Sequence, residues 1–247
     1  MRITHIIKVG VFASWCLSAL ALAQSTSTPS GVEFEFSVMG SDRMRDVGYA
    51  QIKAEARAKP RPVAADFEIK PLRVSSQGRS DLYSYEGTMP VRLVATQTSE
   101  GMVSATRMIG SIATGPIPKR ALIFLRPAVD GAAKVDLLDD SPTAFPARHI
   151  RIVNLAGQLV QGSLNGNSFR VDQTVTVLPP QRVTESVKVG VAYERLDRPV
   201  VVFDQSLRVG QNERILLVFL PPFRAGADVR VRVVRDQVQE PNEAEGK

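Results

Sequence analysis

Val160-Gln161-Gly162-Ser163-Leu164-Asn165-Gly166-Asn167-Ser168-Phe169-Arg170-Val171 reads as a β-hairpin. Asn165-Gly166 tolerates the positive φ angles that a two-residue type I′ turn demands. A turn there sets Val160 opposite Val171 and Gly162 opposite Phe169, on one face with Leu164. The same period of two recurs outward from the hairpin. Residues 32–38 place Val32, Phe34, Phe36 and Val38 on one side. Further strand signals fall at 67–74, 82–85, 90–97, 102–109, 120–125, 134–138, 150–154, 174–178, 187–193, 200–209, 214–220 and 229–234. Many short strands with few helix signals predict an all-β protein. The expected form is an immunoglobulin-like antiparallel β-sandwich, either one or two packed together.

Two runs depart from alternation. Ala121-Leu122-Ile123-Phe124-Leu125 and Ile215-Leu216-Leu217-Val218-Phe219-Leu220 are continuously apolar, as suits central strands covered on both faces. Pro127 and Pro221-Pro222 stop them. Val229, Val231 and Val233 alternate with Arg230 and Arg232, giving one buried and one basic side. Residues 41–59 are highly charged and read as a strand or turn before a short helical stretch, ended by Pro60 and Pro62. No internal repeat stands out. The β region is set at 32–236, with a seam expected at 114–118 (Thr114-Gly115-Pro116-Ile117-Pro118), unless that segment is a loop within one sandwich.

The first 23 residues read as a secretory signal peptide. Arg2 and Lys8 precede an apolar run from Val9 to Leu22, and Ala21-Leu22-Ala23 matches a cleavage site before Gln24. The run is shorter than the ~20 apolar residues of a membrane span. Cleavage after Ala23 predicts an exported, periplasmic or extracellular chain with no transmembrane span. It removes Cys16, Trp15 and His5, leaving His149 as the one imidazole and no thiol. The formal charge falls from +6 to +4 with Arg2 and Lys8 gone. Residues 24–31 form a small, polar, flexible lead-in, and 237–247 an acidic, proline-interrupted tail expected to be disordered.

This inventory removes thiolate chemistry and zinc sites built on several histidines from the mature chain. A Ser–His–acid triad would need His149, but Arg148 and Arg151 flank it and disfavour its protonated form. No phosphate-cradling glycine motif supports a nucleotide, and export with a weak net charge argues against nucleic acid. No cofactor and no metal are expected. Carboxylates remain. Asp139-Asp140 is the most conspicuous acidic pair, with Asp130 and Asp136 nearby. Neighbours on a strand point to opposite faces, so the pair shares a cleft only if a turn at Ser141-Pro142 intervenes. Tyr83-Ser84-Tyr85 puts two rings on one side of a strand, either as sheet packing or as a binding platform.

The stretch Leu138-Asp139-Asp140-Ser141-Pro142-Thr143-Ala144-Phe145-Pro146-Ala147-Arg148-His149-Ile150-Arg151-Ile152-Val153-Asn154-Leu155 resembles an uncharacterised family of exported β-rich proteins of Verrucomicrobia-type bacteria. There an acidic pair precedes Phe-Pro and a strand ending in Asn-Leu, and the segment from Arg79 to Gly87 fits the same pattern. The resemblance implies fold class and compartment, and no activity.

The function expected from these readings is a non-catalytic extracytoplasmic interaction or structural protein of a bacterial envelope, its partner an envelope protein or a glycan. In that reading Asp139 or Asp140 caps a turn, Phe145, next to Pro146, plugs a core, Asn154 satisfies backbone at a strand end, and Asn165-Gly166 makes the hairpin. The first alternative is a carbohydrate-binding or carbohydrate-processing module with Asp139 or Asp140 beside Tyr83 or Tyr85. The second is peptide or subunit capture by strand addition.

Overall fold

The computed structural model describes residues 31–238, apart from 42–43, 45, 57–58, 60–62, 113–115, 129, 173–175, 197 and 225. The leader, the lead-in before Gly31 and the tail after Val238 lie outside the described residues. The described chain is all-β, in four sheets that make two sandwiches. Among the described residues no helix is long and apolar enough to cross a membrane.

The first sandwich is built from β1 (Val32–Gly40), β2 (Val47–Ile52), β3 (Phe67–Leu72), β4 (Tyr83–Gly87), β5 (Val91–Ser99), β6 (Met102–Ile112), β7 (Arg120–Pro127) and β8 (Ala133–Asp139). Its inner sheet has the order β4-β1-β7-β8 and its outer sheet β3-β2-β5-β6. The second is built from β9 (His149–Asn154), β10 (Val160–Leu164), β11 (Asn167–Val171), β12 (Thr176–Val177), β13 (Gln181–Arg182), β14 (Ser186–Arg195), β15 (Arg198–Arg208), β16 (Glu213–Leu220) and β17 (Arg230–Gln237). Its inner sheet runs β12-β9-β16-β17, with β13 also on β9, and its outer sheet β11-β10-β14-β15.

The two orders are one topology used twice. Strand 1 lies parallel to strand 7 in the first sandwich, and β9 lies parallel to β16 in the second. Hairpin partners follow in the same places, β7 with β8 and β16 with β17. The fold therefore repeats one topology, which the reading of the sequence did not anticipate. Arg120 with five apolar residues answers Arg214 with six, and each strand is followed by an alternating one that closes on an acid, Asp140 or Asp236. The side chains between these anchors diverge, which hid the period. The pairing also departs from the immunoglobulin arrangement, where the first strand joins the second; here β1 sits between β4 and β7.

Each sandwich has its own core. Phe34, Phe36, Tyr49 and Tyr85 anchor the first, and Ile152, Val189, Val191 and Phe219 the second. A third apolar cluster joins the two inner sheets face to face: Met39, Leu122, Phe124, Phe145, Val153, Leu155, Leu216, Val218, Leu220 and Val234. This explains the two unbroken apolar runs. Odd and even positions of β7 and β16 are both buried, one set in a sandwich core and the other in the seam.

The hairpin register is as read, Val160 opposite Val171 and Gly162 opposite Phe169. Asn165 and Gly166 have φ of 49° and 84°. Three boundaries move. The seam expected at 114–118 falls between β6 and β7 of the first sandwich, with 114–115 outside the described residues; the sandwiches meet in sequence between β8 and β9. Among the described residues the helical stretch expected before Pro60 contains one 3-10 turn, Ala54–Ala56, preceded by the fully buried β2. The tail starts later than expected, since Gln237 pairs with Glu213 and the Val238 N–H donates to Asn212.

Candidate functional site at the seam

The seam has a charged end and an open end. At the charged end β7 and β16 begin and β8 and β17 finish, so Arg120 and Asp140 from one repeat meet Arg214 and Asp236 from the other. Arg214 and the Asp140 carboxylate are each about 1 % exposed. Arg214 Nη2 donates to Asp140 Oδ2 at 2.9 Å and to Asp236 Oδ2 at 2.6 Å, and its Nε donates to Asp236 Oδ2 at 2.8 Å. Its Nη1 donates to the carbonyls of Asp140 and Phe145, at 3.0 and 2.8 Å. Arg79, from the segment between β3 and β4, grips Asp140 with two nitrogens, at 2.8 and 3.1 Å, and reaches Asp236 at 2.8 Å. Arg120 Nε approaches Asp140 to 3.8 Å, an ion-pair distance without a hydrogen bond.

Phe145 is fully buried between two guanidinium groups, with the Arg151 carbon 4.6 Å and the Arg214 carbon 4.9 Å from its ring centre. Cations favour the negative face of an aromatic ring. Arg151 donates to the carbonyls of Asp139, at 2.8 Å, and Ala144. Desolvation pushes its pKa down and Arg214 adds to this, against the opposing pull of Asp140 and Asp139. Three arginines, Arg79, Arg120 and Arg214, thus converge on the carboxylates of Asp140 and Asp236, while Arg151 braces the neighbouring backbone. In this setting Asp140 binds the two halves of the protein together and has arginines where a metal ion or a catalytic acid would need open space.

The other predicted residues divide the same way. Asp139 is exposed and its Oδ1 accepts the Ser141 N–H at 2.9 Å, capping the turn. The acidic pair therefore splits to opposite sides, and the shared cleft needed for carboxylate chemistry does not form there. Tyr85 is buried and donates to the Thr88 carbonyl at 2.7 Å. Tyr83 stacks on Phe36 at 5.4 Å and its hydroxyl accepts the Arg73 N–H at 2.8 Å. Both rings belong to the first core and offer no outward platform. Phe145 plugs the seam, and Pro146 follows it into the β9 approach. Asn154 is fully buried: its Nδ2 donates to the carbonyls of Gln158, at 2.9 Å, and Asp172, at 2.6 Å, and its Oδ1 accepts the Ala156 N–H at 3.0 Å. Half-buried His149 has Nδ1 2.8 Å from the Ala147 carbonyl. Sequence reasoning missed Arg79, Arg151, Arg214 and Asp236. The signal that could have found two of them is the matched Arg…Asp spacing, 20 positions from Arg120 and 22 from Arg214.

At the open end β7 and β16 stop at Pro127 and Pro221. The chain turns away from both sheets there, leaving a cleft of about 220 Å³ between the sandwiches. Met39, Phe124, Leu155 and Leu220 face it, and Arg126, Phe223 and Arg230 stand at its rim. No known protein family and no curated protein matches this chain.

Proposed function

We propose that the protein is a non-catalytic, extracytoplasmic interaction or structural protein of a bacterial envelope. The observation that carries this is the seam. The groups the sequence offers for chemistry, Asp139, Asp140, Tyr83, Tyr85 and His149, are engaged in turns, cores or the charged lock. What the architecture delivers is two sandwiches fixed within one compact unit, with long edge strands and hairpin tips exposed to solvent. The leader pattern supports export, and the resemblance of the 138–155 stretch to exported proteins points the same way. The test is to fractionate producing cells, sequence the N-terminus, and place a photo-cross-linking residue at Ser104 and at Val201. A chain starting at Gln24 that forms a discrete adduct with an envelope component supports the reading. A cytosolic chain starting at Met1 overturns it.

Capture of an extended segment by strand addition has an observation of its own. β6 and β15 are eleven-residue edge strands, each paired on one side among the described residues. Residues 97–102 at the β5–β6 tip are exposed, as are 104–108 of β6. Edges of this kind template an added strand. An adduct at Ser104 but not at Val201 favours β6 as the capturing edge.

A further inference from the structure

We infer that the open end of the seam is a binding cleft for a small amphiphilic carboxylate, with an acyl chain between the sandwiches and its head group on Arg230. The reading goes beyond the envelope role and does not depend on it. Ligand sites favour concave, mostly apolar clefts at domain interfaces with a few placed polar groups. This cleft lies at such an interface, and its volume of about 220 Å³ suits a ligand smaller than a drug-sized molecule.

The sequence explains why the space is left open. The prolines that end β7 and β16 stop both central strands at the same level, so no further residue of either strand fills the gap. Gly40 at the end of β1 cannot narrow it, because a Cβ there would lie 2.5 Å from the Leu125 carbonyl oxygen. Phe223 stands on the lip 74 % exposed, a large apolar ring that could fold over an occupant.

Charge selects the class of ligand. Arg126 at the rim is already neutralised by Asp136, at 2.7 Å. Arg230 differs: its Nε donates to the Pro221 carbonyl at 3.0 Å, its guanidinium lies 5.8 Å from the Phe223 ring centre, and it meets no carboxylate among the described residues. Its outer nitrogens are the cation beside an apolar cleft. An apolar chain ending in a carboxylate complements both features, whereas an alcohol or amine of the same length complements one or neither.

The test uses Phe223→Trp as a reporter, since Trp15 of the leader is the other tryptophan in the chain. Decanoate should change its emission saturably. Arg230→Glu in the same background should weaken binding about tenfold or more, as expected for losing a charged hydrogen-bond partner, while Arg230→Lys retains most of it. Decanol should bind more weakly than decanoate, and unchanged thermal unfolding of the variants would show that the fold is intact. Absence of saturable binding, equal binding of decanol, or an unchanged affinity in Arg230→Glu each overturns the inference. So does a response to a peptide with an apolar C-terminal residue but not to decanoate, which would give the cleft to a chain terminus.

Discussion

Arg214 and Asp140 show what a charge must find to be buried. Removing one partner of such a pair leaves the other desolvated, a loss of about 3–5 kcal/mol, whereas replacing both can be nearly neutral. Arg214→Met and Asp140→Asn should therefore each destabilise by about that amount in urea unfolding, and the double variant by clearly less than their sum. Additive effects would mean that the two residues act independently. Glu213 gives a pH-dependent counterpart. Burial pushes its carboxyl up, but the Gly210 N–H and Arg235 outweigh that and hold it below its ordinary value of 4.5. A depressed folded pKa contributes stability that is present above 4.5 and lost as pH falls through the folded value. The melting-temperature difference between the protein and Glu213→Gln should be widest near neutral pH and shrink below pH 4.5. The phenols titrate at the other extreme. Burial, with Tyr83, Glu68 and Tyr85 nearby, raises Tyr49 to about 12. Tyr85 is raised chiefly by burial. Ultraviolet titration should leave Tyr49 protonated at pH 10, where exposed phenols are half ionised, and should show Tyr85 ionising later than an exposed phenol. The stability from their neutral forms is complete below pH 10 and lost as pH rises through the folded values.

Among the elements, the β10–β11 hairpin was the most legible, because a two-residue Asn-Gly turn admits one register and the apolar face agreed with it. Its glycines do different work. Gly166 is needed for its φ of 84°. Gly162 is needed for space: a Cβ there would lie 2.3 Å from the Gly190 carbonyl oxygen and 2.5 Å from the Phe169 ring, which lies across the strand from it. Gly162→Ala should cost about 1–3 kcal/mol by overpacking, and Gly166→Ala about 1–2 kcal/mol by forcing alanine into the left-handed region. Truncating Phe169 to Leu together with Gly162→Ala should recover part of the first loss and none of the second, measured by denaturant unfolding. The charged lock was less legible. Arg79 lies 135 positions before Arg214, and only the face-to-face packing of two sheets brings them to the same carboxylate. Composition showed scattered arginines, and nothing local marks which of them turn inward. Tyr83 and Tyr85 were ambiguous for a related reason: alternation establishes that two rings share a face and is silent on which face the second sheet covers.

For the whole molecule, the question is whether two sandwiches that each close a core behave as one body. Among the described residues their own cores hold sixteen and seventeen buried apolar residues, and the seam ten more. The seam is therefore the smaller part, but it is apolar and buried in its middle and charge-matched at one end. Separating the sandwiches would expose Phe124, Leu216 and Val218 and would strip Arg214 from Asp140 in one step. Coupling of that kind makes neither half stable by itself at the denaturant concentration where the other fails, so the protein should unfold in one transition with coincident fluorescence and circular-dichroism midpoints. Val218→Lys places a cation in the apolar middle of the seam, where no carboxylate among the described residues answers it, while β16 keeps its alternate side chains Ile215, Leu217 and Phe219 in the second core. The variant should lose the seam and keep the sandwiches: its unfolding should split into two transitions, with native-like far-ultraviolet dichroism before the first. A single transition shifted to lower denaturant would instead mean that the repeats depend on one another to fold. Two transitions in the unaltered protein would mean that the lock and the apolar face contribute too little to weld them.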